Sequence, residues 1–390
     1  MTAAGSTIYH LSDFVRAVKQ LIISGVGLVI FILMPLFRRH MESLRNYKYI
    51  YGLLGMISLG GVFLLGAMVN GANLSLTIGG FAFQPSEFMK IVFILFMASA
   101  LCDTIRSKDV VLTGFFSLAH VGILVLSRDL GSAMIFYVIF IMMLFLATGR
   151  WRYVFGGLLA GAVGSVICYF LFSHVRVRVD VFMNPWNSNY IDNMSYQITQ
   201  SLFAISYGGP WGAGLGRGMP ERIPFVVSDF IFSAVAEELG LIFACCMIAL
   251  CINCFLDALL LSETYSNRFF RLYTFGAGVC YLFQTFVTVG GEVKFIPLTG
   301  VTLPFVSYGG SSVLSSLIMF AMIGAIFILH SEREDMFRYR YESERAAYEK
   351  VPARQDEDPD DGFYRGFKPA DDISRYDKDP DGTNRGQYYR

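Results

Sequence analysis

Nine long apolar runs constrain the fold of this 390-residue chain more than any other feature. A helix that crosses the roughly 30 Å hydrocarbon layer of a membrane needs about 20 mostly apolar residues. The runs lie near residues 20–37, 49–69, 87–102, 110–127, 131–148, 153–172, 230–256, 272–290 and 312–330. They predict an all-α, polytopic integral membrane protein with about nine transmembrane helices.

The chain divides into two regions of opposite charge, which cancel to a formal net charge of +0. Residues 331–390 contain 12 basic and 16 acidic side chains, so this tail carries −4 and residues 1–330 carry +4. The balance excludes an electrostatically steered nucleic-acid-binding protein. The tail has few aliphatic residues and cannot bury enough apolar area to offset its ordering entropy, which predicts that it is disordered.

Lys and Arg are unevenly distributed over the predicted loops, and basic residues concentrate on the cytoplasmic side of membrane proteins. One set of loops contains ten of them: Arg38, Arg39, Arg45, Lys48, Arg106, Lys108, Arg150, Arg152, Arg268 and Arg271. The opposite set of short loops, near 70–86, 128–130 and 291–311, contains only Arg128 and Lys294. With nine spans, this pattern predicts an outer segment 1–19, a membrane domain 20–330 and a cytoplasmic tail. Residues 1–19 lack the features of a cleaved signal peptide, so the first run is predicted to be an uncleaved anchor.

The 56 residues 173–228 interrupt the membrane pattern and form a large predicted outer loop. Three of its arginines are candidates for binding an anionic group: Arg176, Arg178 and Arg217. Residues 196–205 place apolar side chains at helical spacing, which predicts an amphipathic helix lying among the lipids of the interface. The glycine run at 208–218 lacks the sequence context of a nucleotide-binding loop.

Ionisable side chains near a bilayer are expensive, so each is a candidate for a functional role. Glu87 and Lys90 lie three residues apart and therefore on one helix face. The alternative for them is a capped helix with a local ion pair. Arg128 and Asp129 are adjacent at the outer face. The alternative there is a tight turn in which Asp129 caps the next helix.

Asp229 begins the seventh apolar run, and Glu237 and Glu238 follow it by about two helical turns. The alternative for Asp229 is a plain N-terminal helix cap. The two glutamates are predicted to lie about 12–13 Å below Asp229, at hydrocarbon depth. They indicate either a polar cavity open to the outer leaflet or a structural polar network.

The outer loop 290–312 has no regular period, and its glycines and prolines indicate a re-entrant backbone that lines a cavity. It contains four further polar candidates: Lys294, Ser307, Tyr308 and Ser311. Cys251 and Cys254 have the spacing of a redox or metal pair, but they lack a second pair or a neighbouring His, so no metal site is predicted. These outer polar residues suit a substrate with a lipid tail and an anionic head, which does not separate an enzyme from a transporter.

The same motifs resemble those of the SEDS family of bacterial shape, elongation, division and sporulation proteins. The matching sequences are Phe-Gln-Pro-Ser-Glu-x-x-Lys at 83–90, Asn-Pro-Trp at 184–186, Tyr-Gln-x-x-Gln-Ser-Leu-x-Ala-Ile at 196–205, Asp-Phe-Ile-Phe with Glu-Glu-Leu-Gly at 229–240, and Leu-Pro-Phe-x-Ser-Tyr-Gly-Gly-Ser-Ser at 303–312. The resemblance runs from about residue 15 to residue 330. Five matches in the same order make chance similarity negligible.

The resemblance implies a peptidoglycan glycosyltransferase that polymerises lipid II in the cytoplasmic membrane, with a class B penicillin-binding protein as its partner. It assigns catalysis to Asp229, whose carboxylate is a suitable general base for a sugar hydroxyl. The leaving lipid pyrophosphate needs positive charge, from the protein or from a divalent cation such as Mg or Mn. No organic cofactor is expected. We expect the following residues to bind substrate: Glu87, Lys90, Arg128, Asp129, Arg176, Arg178, Arg217, Glu237, Glu238, Lys294, Ser307, Tyr308 and Ser311.

Four departures from the family pattern keep alternatives open. The usual Arg-Trp pair before the first motif is Leu74-Ser75, and Arg128 replaces the usual proline before Asp129. The usual His-Thr before Asp229 is Val227-Ser228, and the first apolar run aligns with the family's second of ten spans. One alternative is a transporter that flips lipid II across the bilayer. Another is a non-catalytic partner of a penicillin-binding protein.

Overall fold

The structure is a computed structural model, and it describes residues 14–65, 67–69, 72–78, 81–103, 107–186 and 194–349. The helices are α1 (Phe14–Leu33), α2 (Lys48–Leu65), α3 (Pro85–Leu101), α4 (Ser107–Leu126), α5 (Leu130–Thr148), α6 (Trp151–Leu171), α7 (Ser173–Met183), α8 (Met194–Gly208), α9 (Ile231–Thr264), α10 (Arg268–Glu292) and α11 (Gly310–Glu349). The tighter 3-10 helices Met34–His40, Glu42–Tyr47 and Pro220–Arg222 lie in the connections.

Each of the nine apolar runs corresponds to a helix within the part of the chain that the structure describes. Eight helices are long and apolar enough to cross a membrane. The ninth, α3, has 17 residues and is about 25 Å long. It is buried by the other helices along most of its length, so protein packing rather than lipid covers it. The chain is therefore a multi-pass membrane protein.

A small antiparallel sheet between α2 and α3 departs from the all-α expectation in detail. Its strands are β1 (Ala67–Val69), β2 (Ala72–Ile78) and β3 (Phe81–Phe83), in the order β1-β2-β3. The second apolar run was expected to remain helical to residue 69, but α2 ends at Leu65. The sheet returns the chain to the start of α3, so the overall architecture remains helical.

Two apolar cores hold the helices together. The larger core joins α3, α5, α10 and α11 and includes Phe93, Phe136 and Tyr273. The smaller core surrounds the start of α9 and includes Phe230 and Leu303. The apolar face of α8 packs into this second core. The amphipathic helix predicted at 196–205 therefore exists, but its apolar face covers protein rather than lipid.

The glycine-rich run after α8 packs its backbone directly against α9. Ala213 donates its backbone N–H to the Glu237 carbonyl at 2.8 Å, and Leu241 donates its N–H to the Gly209 carbonyl at 2.9 Å. Gly240 interrupts the helix with φ 91° and ψ 162°, a conformation open to glycine. A Cβ at Gly240 would lie 2.5 Å from the Pro210 carbonyl oxygen. The glycines therefore permit a close backbone contact at a break in α9.

The break in α9 lies directly after Glu237 and Glu238. Ala213 and Gly214 of the glycine-rich loop donate their backbone N–H groups to the Glu237 and Glu238 carbonyls, at 2.8 Å and 3.0 Å. Both glutamates therefore lie on the part of α9 before the break, where the glycine-rich loop packs and only 4% of Glu237 and 2% of Glu238 is exposed. Their depth in the bilayer stays a prediction.

The last helix corrects the prediction that the tail is disordered from residue 331. α11 runs without interruption for 40 residues to Glu349, and residues 350–390 lie outside the described part of the chain. A helix that continues an existing one needs no new nucleation, which is the costly step of helix formation. Ion pairs with the connection between α1 and α2 also hold this extension, from Arg38 to Glu332 at 2.6 Å and from Arg333 to Glu42 at 2.6 Å.

Candidate functional site

Asp229 lies in a turn just before α9. Hydrogen bonds from the loop between α10 and α11 hold this turn in place. Ser307 donates its Oγ–H to the Ser228 carbonyl at 2.6 Å and accepts the Leu303 backbone N–H at 2.8 Å. Tyr308 donates its backbone N–H to the Val227 carbonyl at 2.7 Å. The motif at 303–312 thus fixes the backbone on which the Asp229 side chain is carried.

The Asp229 carboxylate is half-buried beside Gly300 and Arg178. A Cβ at Gly300 would lie 3.6 Å from Asp229 Oδ2, so the re-entrant loop passes close to the carboxylate. Burial raises the pKa of Asp229, while a hydrogen bond from Ser228 and the positive charge of Arg178 lower it. Because burial is the largest of these effects, the net pKa lies above the usual value for an aspartate.

Arg178 on α7 lies within electrostatic range of both Asp229 and Asp129. Its Nη1 donates a hydrogen bond to the Leu298 carbonyl at 2.8 Å, which anchors the guanidinium to the re-entrant loop. Burial lowers the pKa of Arg178, and the two aspartates oppose that shift. Arginine remains charged under these conditions. The guanidinium is therefore a fixed positive charge beside the candidate base.

Asp129 is the cap of α5, as the sequence predicted as one alternative. Its Oδ1 accepts the Ser132 backbone N–H at 3.0 Å, and its Oδ2 accepts the Ser86 hydroxyl at 3.1 Å. Burial raises the pKa of Asp129, and its hydrogen bonds lower it. The preceding Arg128 is exposed and adopts a positive φ of 64°. Asp129 is thus held by protein donors, while Arg128 faces outward.

Glu87 and Lys90 form a buried ion pair at the start of α3, with 2.7 Å between Lys90 Nζ and Glu87 Oε2. Only 3% of Glu87 and 4% of Lys90 is exposed. Lys90 also donates to Gln284 Oε1 at 2.6 Å, and Gln284 Nε2 donates to the Thr302 carbonyl at 2.9 Å. The pair therefore supports the re-entrant loop from inside the helix bundle.

Glu292 is a buried carboxylate near the site that the sequence analysis did not select. None of its surface is exposed, and its Oε2 accepts both the backbone N–H and the hydroxyl of Ser233 at 2.8 Å. Glu292, at the end of α10, therefore caps the start of α9 at Ser233, which follows Asp229 by four residues. The only signal in the sequence is a single glutamate after two glycines, which reveals nothing about a partner 59 residues away.

Several predicted site residues are not brought to Asp229. Arg176 points back toward α6, where its Nη2 donates to the Phe170 carbonyl at 3.2 Å. Arg217 is exposed on the glycine-rich loop, and Lys294 is half-buried with φ 57° after α10. Glu237 Oε1 accepts the Met219 N–H at 2.9 Å.

Of the remaining residues singled out in the sequence, Ser311 holds helices together, and the side chains of Leu74 and Ser75 lie outside the part that the structure describes. Ser311 accepts the Gln84 backbone N–H at 3.0 Å and so ties the start of α11 to the start of α3. Leu74 and Ser75, which replace the family's Arg-Trp pair, belong to β2, and their side chains lie outside the described part of the structure.

Within the described residues, no group of three or more His, Cys, Asp or Glu side chains is arranged to hold a metal ion. Both oxygens of the Asp129 carboxylate already accept protein hydrogen bonds. These residues therefore do not fit a resident divalent cation. The site offers a half-buried carboxylate with a raised pKa beside a fixed guanidinium, which suits proton removal next to an anionic leaving group.

The fold and this site define a multi-pass membrane protein with a carboxylate–arginine centre on one end of the helix bundle. Residues 1–332 match the profile of the FtsW, RodA and SpoVE family, described as cell cycle proteins. The chain belongs to this family. The resemblance inferred from its motifs is therefore confirmed.

Relatives across the family cover most of the chain. The protein named peptidoglycan glycosyltransferase RodA of Mycobacterium tuberculosis is 34% identical over 327 residues, which is 79% of this chain and 69% of that protein. A protein named probable peptidoglycan glycosyltransferase FtsW of Aliivibrio salmonicida is 34% identical over 276 residues, covering 67% of this chain and 68% of that protein.

Solved structures share the fold. A chain from a study of polymerization and crosslinking by a peptidoglycan synthase complex has a TM-score of 0.72 and 27% identity, covering 85% of this chain and 95% of that one. The crystal structure of Thermus thermophilus RodA, a rod shape determining protein, has a TM-score of 0.62 and 24% identity, covering 84% and 92%. The latter similarity concerns the fold alone.

Proposed function

We propose that this chain is a peptidoglycan glycosyltransferase that polymerises lipid II, with Asp229 as its general base. The observation that carries this proposal is the half-buried Asp229 carboxylate, which lies against Gly300 of the re-entrant loop and within electrostatic range of the Arg178 guanidinium. The activity in the names of its RodA and FtsW relatives supports the same reaction and favours it over lipid transport.

In the proposed reaction, Asp229 removes the proton from the acceptor sugar hydroxyl as its oxygen attacks the anomeric carbon of the donor. The bond from that carbon to the lipid pyrophosphate breaks, and the pyrophosphate leaves with the bonding electrons. A base whose pKa is raised toward the working pH takes up a proton more readily while it remains mostly ionised. Burial of Asp229 provides that shift.

The leaving pyrophosphate needs positive charge in a partly water-excluded place, where such charge acts most strongly. Arg178 is the cation beside Asp229, and its hydrogen bond to the Leu298 carbonyl fixes its position. We expect Lys90 to act through the protein, because it is buried in its ion pair.

We infer that the site faces the outer leaflet of the bacterial cytoplasmic membrane. The helix ends opposite Asp229 carry most of the loop arginines and lysines, including Arg38, Arg150 and Arg268, and such residues favour the cytoplasmic side. In this orientation the α11 extension and the tail lie in the cytoplasm. Lipid II then reaches Asp229 from the outer side.

A class B penicillin-binding protein, which cross-links the new strands, is the proposed partner. Support comes from the peptidoglycan synthase complex whose chain shares this fold, because its study concerns polymerization together with crosslinking. The exposed apolar surface of the helices provides room for a partner's membrane anchor.

Purified full-length chain with its transpeptidase partner, supplied with labelled lipid II, tests the proposal. We expect polymer from the wild-type protein but none from Asp229→Ala. The control is Asp257→Ala, which removes an exposed carboxylate near the far end of α9 and should make polymer as the wild type does. Polymer formed equally by Asp229→Ala would contradict the catalytic assignment. Translocation of labelled lipid II in vesicles without any polymer would favour the transporter.

A further inference from the structure

A cavity of about 400 Å³ opens beside α8. Its lining includes Gln200, Phe203 and Tyr207 of α8, with Met219, Arg222 and Glu237. We call it the α8 cavity. Its volume falls in the range of small-molecule sites, about 300–1,000 Å³.

The α8 cavity is separate from the site around Asp229. Asp229, Arg178 and Gly300 do not line it. Ser201 of α8 does not line it either, and instead lies 2.6 Å from the Ser233 hydroxyl and donates to the Glu292 carbonyl at 3.0 Å. Glu237 follows Asp229 by eight residues, which is about 12 Å at the helical rise. A glycan strand of a few sugars bridges such a distance.

Glu237 provides a buried polar atom that lacks a partner. Only 4% of this residue is exposed, and its Oε1 accepts the Met219 N–H. Its Oε2 has no hydrogen-bond partner in the described part of the protein. A buried carboxylate oxygen without a hydrogen bond is unfavourable, so its presence in a residue that lines a cavity points to a ligand that donates one.

The other lining groups indicate what kind of ligand this is. Phe203 and Tyr207 lie one helical turn apart and are mostly exposed, with 68% of Tyr207 accessible. Trp186 approaches Phe203 with 6.4 Å between ring centroids. Arg222 and Glu237 give the lining one positive and one negative charge, so it carries no excess positive charge for a pyrophosphate, whereas hydroxyl and amide N–H groups satisfy the Glu237 carboxylate. Aromatic side chains next to a hydrogen-bond-accepting carboxylate suit a sugar ring, whose edge carries hydroxyl groups and whose face is apolar.

We propose that the α8 cavity binds an N-acetylated amino sugar of the nascent glycan strand. This inference rests on the proposed function, because it assigns the cavity to the product of that reaction. Its Glu237 carboxylate accepts hydroxyl or amide N–H groups of the sugar, and the aromatic rings cover the sugar face. A strand retained in this way stays near Asp229 between successive additions, so the protein makes longer chains before release.

Two measurements on the full-length protein with its partner test the proposal. The first is the binding of a lipid-free oligosaccharide of N-acetylglucosamine and N-acetylmuramic acid, followed by ligand-observed NMR. The second is the length of the polymer made from lipid II. Tyr207→Ala and Glu237→Gln are each expected to weaken oligosaccharide binding by about tenfold and to shorten the polymer.

Trp211→Ala provides the matched control. Trp211 is 81% exposed on the same outer loop but does not line the α8 cavity, so binding and polymer length should stay at wild-type values. Tyr207 is a surface side chain, so its replacement leaves the fold intact, and thermal unfolding checks this point for all three variants.

Oligosaccharide binding and polymer length at wild-type values in both cavity variants would overturn the proposal. A loss of affinity for the transpeptidase with unchanged oligosaccharide binding would also overturn it and assign the cavity to the partner protein. Absence of polymer from the wild-type protein would instead contradict the proposed function, while oligosaccharide binding would still decide whether the cavity is a sugar site.

Discussion

Replacing Lys90 by methionine removes the positive half of the buried ion pair at the start of α3. The carboxylate of Glu87 then remains in a place where only 3% of the residue is exposed, and Gln284 Oε1 loses its donor at 2.6 Å. Breaking a buried pair in this way costs about 3–5 kcal/mol. We expect Lys90→Met to lower the free energy of unfolding in detergent micelles by that amount.

The double variant Glu87→Gln/Lys90→Met separates a structural role of the pair from a direct role in the reaction. It removes both charges of the pair, and Gln at position 87 still accepts from the Ser315 hydroxyl, which donates to Glu87 Oε2 at 3.2 Å in the wild type, so at least about half of the lost stability should return. Polymerisation should recover with it, because Gln284 keeps its own hydrogen bond to the Thr302 carbonyl in the re-entrant loop once the unpaired charge of Glu87 is gone. Lys108→Met, at an exposed position of α4, should change stability by less than about 0.5 kcal/mol.

Two results would refute this reasoning. One is a Lys90→Met protein as stable as the wild type, which would show that the pair is not buried as described. The other is a double variant that regains its stability but makes no polymer, which would assign the charges to the substrate.

Three further substitutions probe the geometry around the site. Gly300→Ala should reduce polymerisation at least about tenfold, because Gly300 has φ 72° and its new methyl group would touch Asp229; unchanged activity would contradict that contact. Arg178→Gln removes the positive charge that lowers the pKa of Asp229, so the acidic limb of the rate–pH profile should move to higher pH. An acidic limb at the wild-type pH would show that Arg178 does not influence the ionisation of Asp229. Gly212→Ala should destabilise the protein by about 2 kcal/mol or more, since φ is 83° and the methyl group would overlap the Glu238 carbonyl. Gly156→Ala, which meets open space, is the control for both glycine variants and should unfold and polymerise as the wild type does.

The helical architecture could be predicted from the sequence because hydropathy is a property of contiguous residues. Nine apolar runs became nine helices of the described chain, and only α3 was too short to stand as an independent span. Contacts between residues close in the sequence could also be inferred from the sequence. The spacing of Glu87 and Lys90 indicated their ion pair, and the position of Asp129 indicated its helix cap, each as the alternative to a role in binding substrate.

Features that depend on distant partners could not be predicted in this way. Glu292 and Ser233 are 59 residues apart, and Lys90 and Gln284 are 194 apart. The break at Gly240 arises because the glycine-rich loop packs there, which no local pattern around residue 240 indicates. The composition of the tail does not indicate the helical extension to Glu349, because the extension continues the preceding apolar helix and so needs no nucleation of its own.

The central claim is that the Asp229 carboxylate removes the proton of the attacking hydroxyl. Asn at this position keeps nearly the same size but cannot act as a base, and the turn held by Ser307 does not depend on the side chain of Asp229. The rate of lipid II polymerisation by Asp229→Asn, in complex with the partner and at saturating lipid II, should fall by about 10²–10⁴-fold with unfolding unchanged. A rate within about tenfold of the wild-type value would contradict the claim.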